Sequence, residues 1–91
     1  MRFDAPKNGF NGWTNWETWN VVLWIDNSEL LYNQKIALLR QRKSLLNYAD
    51  VKKFILELFP NGTPDMLSSG RLAVVNYEEI LEHWLDEVEE D

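Results

Sequence analysis

The sequence predicts an all-α fold: a compact single-domain bundle of four main helices plus one short helix. Three observations carry this. Apolar residues recur at helical spacing in four stretches, helix start signals stand just ahead of those stretches, and the one strand-like run, Leu72-Ala73-Val74-Val75, has no second strand to pair with. The first 12 residues bracket Phe10 between Asn-Gly pairs without periodicity, so residues 1–12 read as a flexible leader and residues 13–91 as the helical domain.

The first helix is expected from about Thr14 to Asp26. Thr14 with Glu17 fits a capping box, and Asn15 is the competing cap. Its apolar residues form two stripes, one of Trp16, Trp19, Val22 and Leu23, the other of Val21, Trp24 and Ile25. A helix apolar on two sides is either central in the core or keeps one face for a partner. The spacing predicts a second helix after Asn27 or Ser28, carrying Leu31, Tyr32, Ile36, Leu38, Leu39, Leu45 and Leu46, with Gln34, Lys35, Arg40, Gln41 and Arg42 on its polar side. The short break at Asp26-Asn27-Ser28 predicts a hairpin of these two helices. The third helix begins between Asn47 and Asp50, repeats Val51, Phe54, Ile55 and Leu58, and stops at Pro60-Asn61-Gly62. Thr63-Pro64-Asp65 is a further start signal for a short helix that ends at Ser68-Ser69-Gly70. Leu72 to Val75 reads as a buried connector. The last helix has Asn76 as cap, Glu79 three residues on, and Val75 and Ile80 at the staple positions. Tyr77, Ile80, Leu81, Trp84, Leu85 and Val88 form its apolar face. The first helix is expected to lie centrally, with the last helix packed on it.

Composition narrows the function. The absence of cysteine excludes disulfides, zinc–thiolate sites and a thiol nucleophile. A hydrophobic fraction of 45% with five Trp is too apolar for a disordered chain. No apolar run approaches the roughly 20 residues of a membrane helix, and the N-terminus lacks the apolar core of a signal peptide, so no membrane contact and a cytoplasmic location are expected. The formal charge of −6 is unevenly placed: residues 76–91 carry eight acids and no Lys or Arg, whereas residues 1–75 net +2. A net negative chain does not attract nucleic acid by bulk charge. The group Arg40, Arg42, Lys43, Lys52 and Lys53 can still form a local basic patch. The plainer reading of both charged groups is that they are solvated helix faces.

Four candidate chemistries arise. His83, with Glu79 and Glu87 one turn to either side, resembles a weak metal site, but established sites draw ligands from more than one element, so no metal ligand and no cofactor is expected. Carboxylates are abundant, yet no nucleophile elbow, phosphate loop or HExxH pattern accompanies them, and a non-enzyme is expected. Trp13, Trp16, Trp19 and Trp24 cluster within twelve residues. Such residues build cores, anchor interfaces or stack on bases. Asn15, Glu17 and Asn20 between them can orient a ligand or satisfy caps and a buried network. Finally, the acidic last helix can imitate a phosphate backbone or serve solubility.

The segment Asn15-Trp16-Glu17-Thr18-Trp19-Asn20-Val21-Val22-Leu23-Trp24-Ile25-Asp26-Asn27, continued by Glu29-Leu30-Leu31-Tyr32, resembles a family of small uncharacterised proteins of bacteriophages and bacteria. Val75 to Trp84, opening with VNYEEI, resembles that family's closing motif. The resemblance brings no catalytic residue with it. It implies a phage or mobile-element setting in a bacterial host cell, where small proteins often bind and inhibit a host machine such as a CRISPR or restriction effector.

The leading expectation is therefore a non-enzymatic phage-type protein that engages a host protein through Glu78, Glu79, Glu82, His83, Asp86, Glu87 and Trp24. The alternative is a small-ligand or nucleotide binder, with Trp13, Trp16 and Asn20 around a base and Arg40, Lys43 and Lys53 on phosphate. A third reading is a structural homo-oligomer, such as a homodimer, seamed by the spare stripe of the first helix.

Overall fold

A computed structural model describes residues 12–89, with the side chains of Ser69, Val88 and Glu89 left undescribed. Most of the predicted leader lies outside the described residues. The rest is all-α: α1 (Trp16–Asn27), α2 (Glu29–Arg42), α3 (Tyr48–Leu58) and α4 (Tyr77–Glu89), with 3-10 turns over Lys43–Leu45 and Ser69–Val74. Among the described residues no strand forms.

Each helix begins where a side-chain oxygen satisfies an orphan amide. Asn15, not Thr14, caps α1, its Oδ1 accepting from the Thr18 amide at 2.9 Å. Ser28 ends α1 and caps α2, so α1 and α2 are separated by one residue and pack along each other. Asn47 and Asp50 form a reciprocal capping box on α3. Asn76 caps α4 through the Glu79 amide at 3.1 Å.

Two expected boundaries differ. The second helix stops at Arg42 instead of running to Leu46, because Lys43 takes a positive φ of 50°. That turn puts Leu46 in the core and leaves Leu45 72% exposed. The short helix forms at Ser69–Val74 instead of after Thr63, and so occupies most of the expected connector. The Thr63 hydroxyl, the predicted cap, instead donates to Asn20 Oδ1 on α1. The chain turns at Gly62, with φ 86°, where a Cβ would stand 3.0 Å from the Ser68 carbonyl oxygen.

The core joins Val21 and Ile25 of α1, Leu39 of α2, Val51 and Ile55 of α3, and Tyr77, Ile80 and Trp84 of α4. Phe59, Met66, Leu72 and Val75 close it from the long loop. α4 touches α1, α2 and α3 and packs most extensively on α3, not on α1 as expected. Its Trp84 is the largest fully buried side chain, edge-on to Phe54 at 5.8 Å. Trp13, Trp16 and Trp24 stay half-buried at the margin. On α1 the deeply buried stripe is the Val21 and Ile25 one, joined by Thr18.

Lys35 also departs from its expected place. It sits on the predicted polar side of α2, yet only 1% of it is exposed. Its ammonium lies 3.2 Å from both Asp26 Oδ1 and Glu87 Oε1, and 4.9 Å and 5.6 Å from the ring centroids of Tyr32 and Trp84. Carboxylates at the ends of α1 and α4 offset the desolvation of the charge, while the stem packs as a hydrophobe.

Candidate functional site

The polar residues of the NWETWN segment are committed to the fold. Asn15 Nδ2 donates to the Val74 carbonyl at 2.8 Å, in addition to capping α1. Glu17 is 8% exposed and accepts from Arg71 at 2.6 Å. Thr18 Oγ1 donates to Asn15 Oδ1 at 2.6 Å and accepts from the Asn76 amide at 2.8 Å. Asn20 is 1% exposed, and its Nδ2 donates to Asp65 Oδ2 at 2.8 Å. Trp24 Nε1 donates to the same oxygen at 2.9 Å. These two bonds, Asn20's first, hold the Asp65 carboxyl below the usual carboxylate range. The motif therefore ties α1 to the loop that connects α3 to α4.

The acidic helix divides into two sets. Glu79 Oε1 accepts from the Thr14 amide at 2.9 Å, and Glu87 pairs with Lys35. These two support the fold. Glu78, Glu82 and Asp86 are exposed and follow one another at i, i+4 and i+8, which places them on one row of α4. No side-chain hydrogen bond or ion pair within the described residues engages their carboxylates. His83 is exposed, and its ring lies against Trp13 with centroids 4.3 Å apart. Among the described residues no group of three or more His, Asp or Glu is placed to hold a metal ion. No helix among them is long and apolar enough to cross a membrane.

The residues of the alternative ligand site are spread over the fold. Trp13 is engaged by His83, Asn20 is buried, and Trp16 is half-buried on α1. Arg40 and Lys43 are exposed at the C-terminal end of α2, and Lys53 is exposed on α3. Arg42, from the same basic group, pairs with Asp50 at 3.0 Å.

One feature escaped the sequence reading. Two open grooves meet at Tyr48. One, of about 420 Å³, runs along α3 past Lys52, Lys53 and Leu56 and is lined mostly by apolar atoms. The other, of about 500 Å³, is lined by Val74, Tyr77 and Glu78 as well as Tyr48. Tyr48 stands edge-on to Tyr77 at 6.1 Å, and Lys52 Nζ is 6.0 Å from both ring centroids. Tyr77 is buried and donates to the Leu72 carbonyl at 2.8 Å. Burial, and secondarily Tyr48, push its phenol up to about 12. The signal in the sequence was Tyr48 and Leu56 on the outer side of α3, outside the stripe of Val51, Phe54, Ile55 and Leu58.

Comparison with known families places residues 6–91 in a family of unknown function (DUF7249), and the chain belongs to that family. No curated protein and no solved structure is detectably similar to it.

Proposed function

We propose that this member of a family of unknown function is a non-enzymatic binding protein that presents the outer row of α4 to a basic surface on a host protein. The observation that carries the reading is the unengaged row Glu78, Glu82 and Asp86 beside two carboxylates, Glu79 and Glu87, that the fold uses. Like charges at i and i+4 repel by about 0.2–0.5 kcal/mol per pair. Asp86, near the negative end of the α4 dipole, adds a further unfavourable contact. A cationic partner relieves both. The helix is held from three sides, so little ordering entropy opposes docking.

The resemblance of the NWETWN and VNYEEI segments to small phage and bacterial proteins supports a phage setting, with a defence effector of the CRISPR or restriction kind among the fitting targets. A protein that holds nucleic acid needs a basic surface for the phosphates, and an acidic helix can occupy such a surface. The cytoplasm of the bacterial host is then the place of action.

The test compares wild-type protein with Glu82→Lys/Asp86→Lys in tagged capture from nuclease-treated bacterial lysate. Neither residue has a described partner in the fold, so circular dichroism of the variant is expected to match wild type. A near-stoichiometric host protein held by wild type and lost by the variant is the expected result. The same proteins captured equally by both would refute the acidic row as the working surface.

A further inference from the structure

We infer that the junction of α1, α2 and α4 is a binding site for a primary alkylammonium ion, which the intact chain fills with Lys35 as a tethered ligand. Asp26 of α1 supplies one oxygen, Oδ1, at 3.2 Å from the ammonium. Glu87 of α4 supplies two, Oε1 at 3.2 Å and Oε2 at 3.4 Å. A primary ammonium has three N–H donors, and these oxygens are acceptors for all of them. The rings of Tyr32 and Trp84, with centroids at 4.9 Å and 5.6 Å, attract the same charge.

The walls of the site do not depend on the lysine side chain. Trp84 is fully buried and held edge-on to Phe54, and Asp26 and Glu87 stand on formed helices. Truncation at Cβ therefore leaves a space the size of propylammonium, apolar along its length and with two uncompensated carboxylates at its end. The side chains of Asp26 and Glu87 are 45% and 46% exposed, so that end opens toward water once the lysine is gone. The walls also set the class of ligand. Rings alone accept a quaternary ammonium as readily as a primary one. Oxygens at hydrogen-bond distance require N–H donors, and the vacated stem requires an alkyl chain, so neither tetramethylammonium nor sodium satisfies both. The unengaged acids of α4 take no part, and the inference does not rest on the proposed function.

Thermal unfolding of Lys35→Ala, followed by circular dichroism at fixed ionic strength, tests it with propylammonium chloride. At a dissociation constant of about 10 mM, about 100 mM of the ion raises the folding equilibrium constant about ten-fold over the same concentration of sodium chloride. In a domain of this size that moves the midpoint up by about 5–10 °C. Tetramethylammonium, which has no N–H donor, and propanol, which has no charge, are each expected to give no such rise. Wild type and Lys35→Met, whose sites are filled, are expected to unfold alike in propylammonium and sodium chloride. Lys35→Ala/Glu87→Gln is expected to lose most of the response. Should Lys35→Ala be unfolded by itself, the expected result is helix regained with propylammonium and not with tetramethylammonium. A Lys35→Ala protein that responds to propylammonium no more than to sodium, or no more than wild type does, would overturn the inference. So would an equal response to tetramethylammonium.

Discussion

Lys35 is the residue whose role depends most on its surroundings. Helical spacing sets it among Gln34, Arg40 and Gln41, on what the sequence presents as a solvated face. The fold instead covers it with Trp84 and Tyr32 and brings two half-exposed carboxylates to its ammonium. Removing the side chain leaves a cavity in a small core and leaves Asp26 and Glu87 without their cation. Lys35→Ala is expected to cost about 2–4 kcal/mol. Lys35→Met keeps the packed stem, and the two carboxylates can hydrate, so it is expected to cost about 1 kcal/mol. Urea denaturation of both variants measures the difference; equal losses would show that volume is not what the site needs. The same logic explains Asn20, which sequence reading offered as a ligand contact: a buried amide needs partners, and Asp65 and Thr63 supply them.

At the scale of elements, the N-termini of α1 and α4 act as one unit. Thr18 of α1 accepts from the Asn76 amide, Thr14 accepts from Asn76 Nδ2 at 2.9 Å, and Glu79 of α4 accepts from the Thr14 amide. Glu79 was expected to close a capping box within its own helix. Its carboxylate goes to the neighbouring chain entry instead, because the Asn76 amide is already taken by Thr18. Thr18→Val keeps the shape of a fully buried side chain and removes both hydroxyl bonds. It is expected to cost about 1–3 kcal/mol and to speed hydrogen exchange in the first turn of α4. A variant with unchanged exchange there would show that the two helix starts are independent. Caps and helix stretches were legible in the sequence because they are local: Asn15, Ser28, Asn47 and Asn76 each lie within three residues of the amide they satisfy. The misplaced short helix was not, because Thr63 chose between a local amide and Asn20, 43 residues away.

For the whole molecule, Tyr77 links three parts of the fold. Its ring faces Tyr48 of α3, its backbone opens α4, and its hydroxyl holds the Leu72 carbonyl of the second 3-10 turn. Its pKa is raised to about 12 in the folded state, chiefly by burial. A group raised on folding contributes stability that is complete below its unfolded value, about 10 for tyrosine, and is lost as pH climbs through the folded value. Wild type is therefore expected to lose stability between pH of about 10 and about 12 as tyrosinate absorbance appears. Tyr77→Phe is expected to be less stable at neutral pH, having lost the bond to Leu72, and to show a flatter alkaline limb. Identical limbs for the two proteins would remove Tyr77 as the cause. Denaturation midpoints across that range decide it.

By itself the sequence determined the all-α class, the four helices, most of their caps and the apolar face of α4. These follow from spacing and from hydrogen bonds that close within a turn, so neighbouring residues contain the information. It also separated an acidic end from a nearly neutral body, since charge is additive along a chain. Only the tertiary structure decided that α4 packs chiefly on α3 and not on α1, and that the tryptophans of α1 lie at the margin of the core. It alone divided the acids of α4 into fold-bearing and unengaged sets, and it alone joined Tyr48, Leu56 and Val74 on one surface. Each of these depends on which distant group arrives opposite a side chain. Local periodicity states which faces are apolar, but not which of two apolar faces is covered, nor which charge finds a partner.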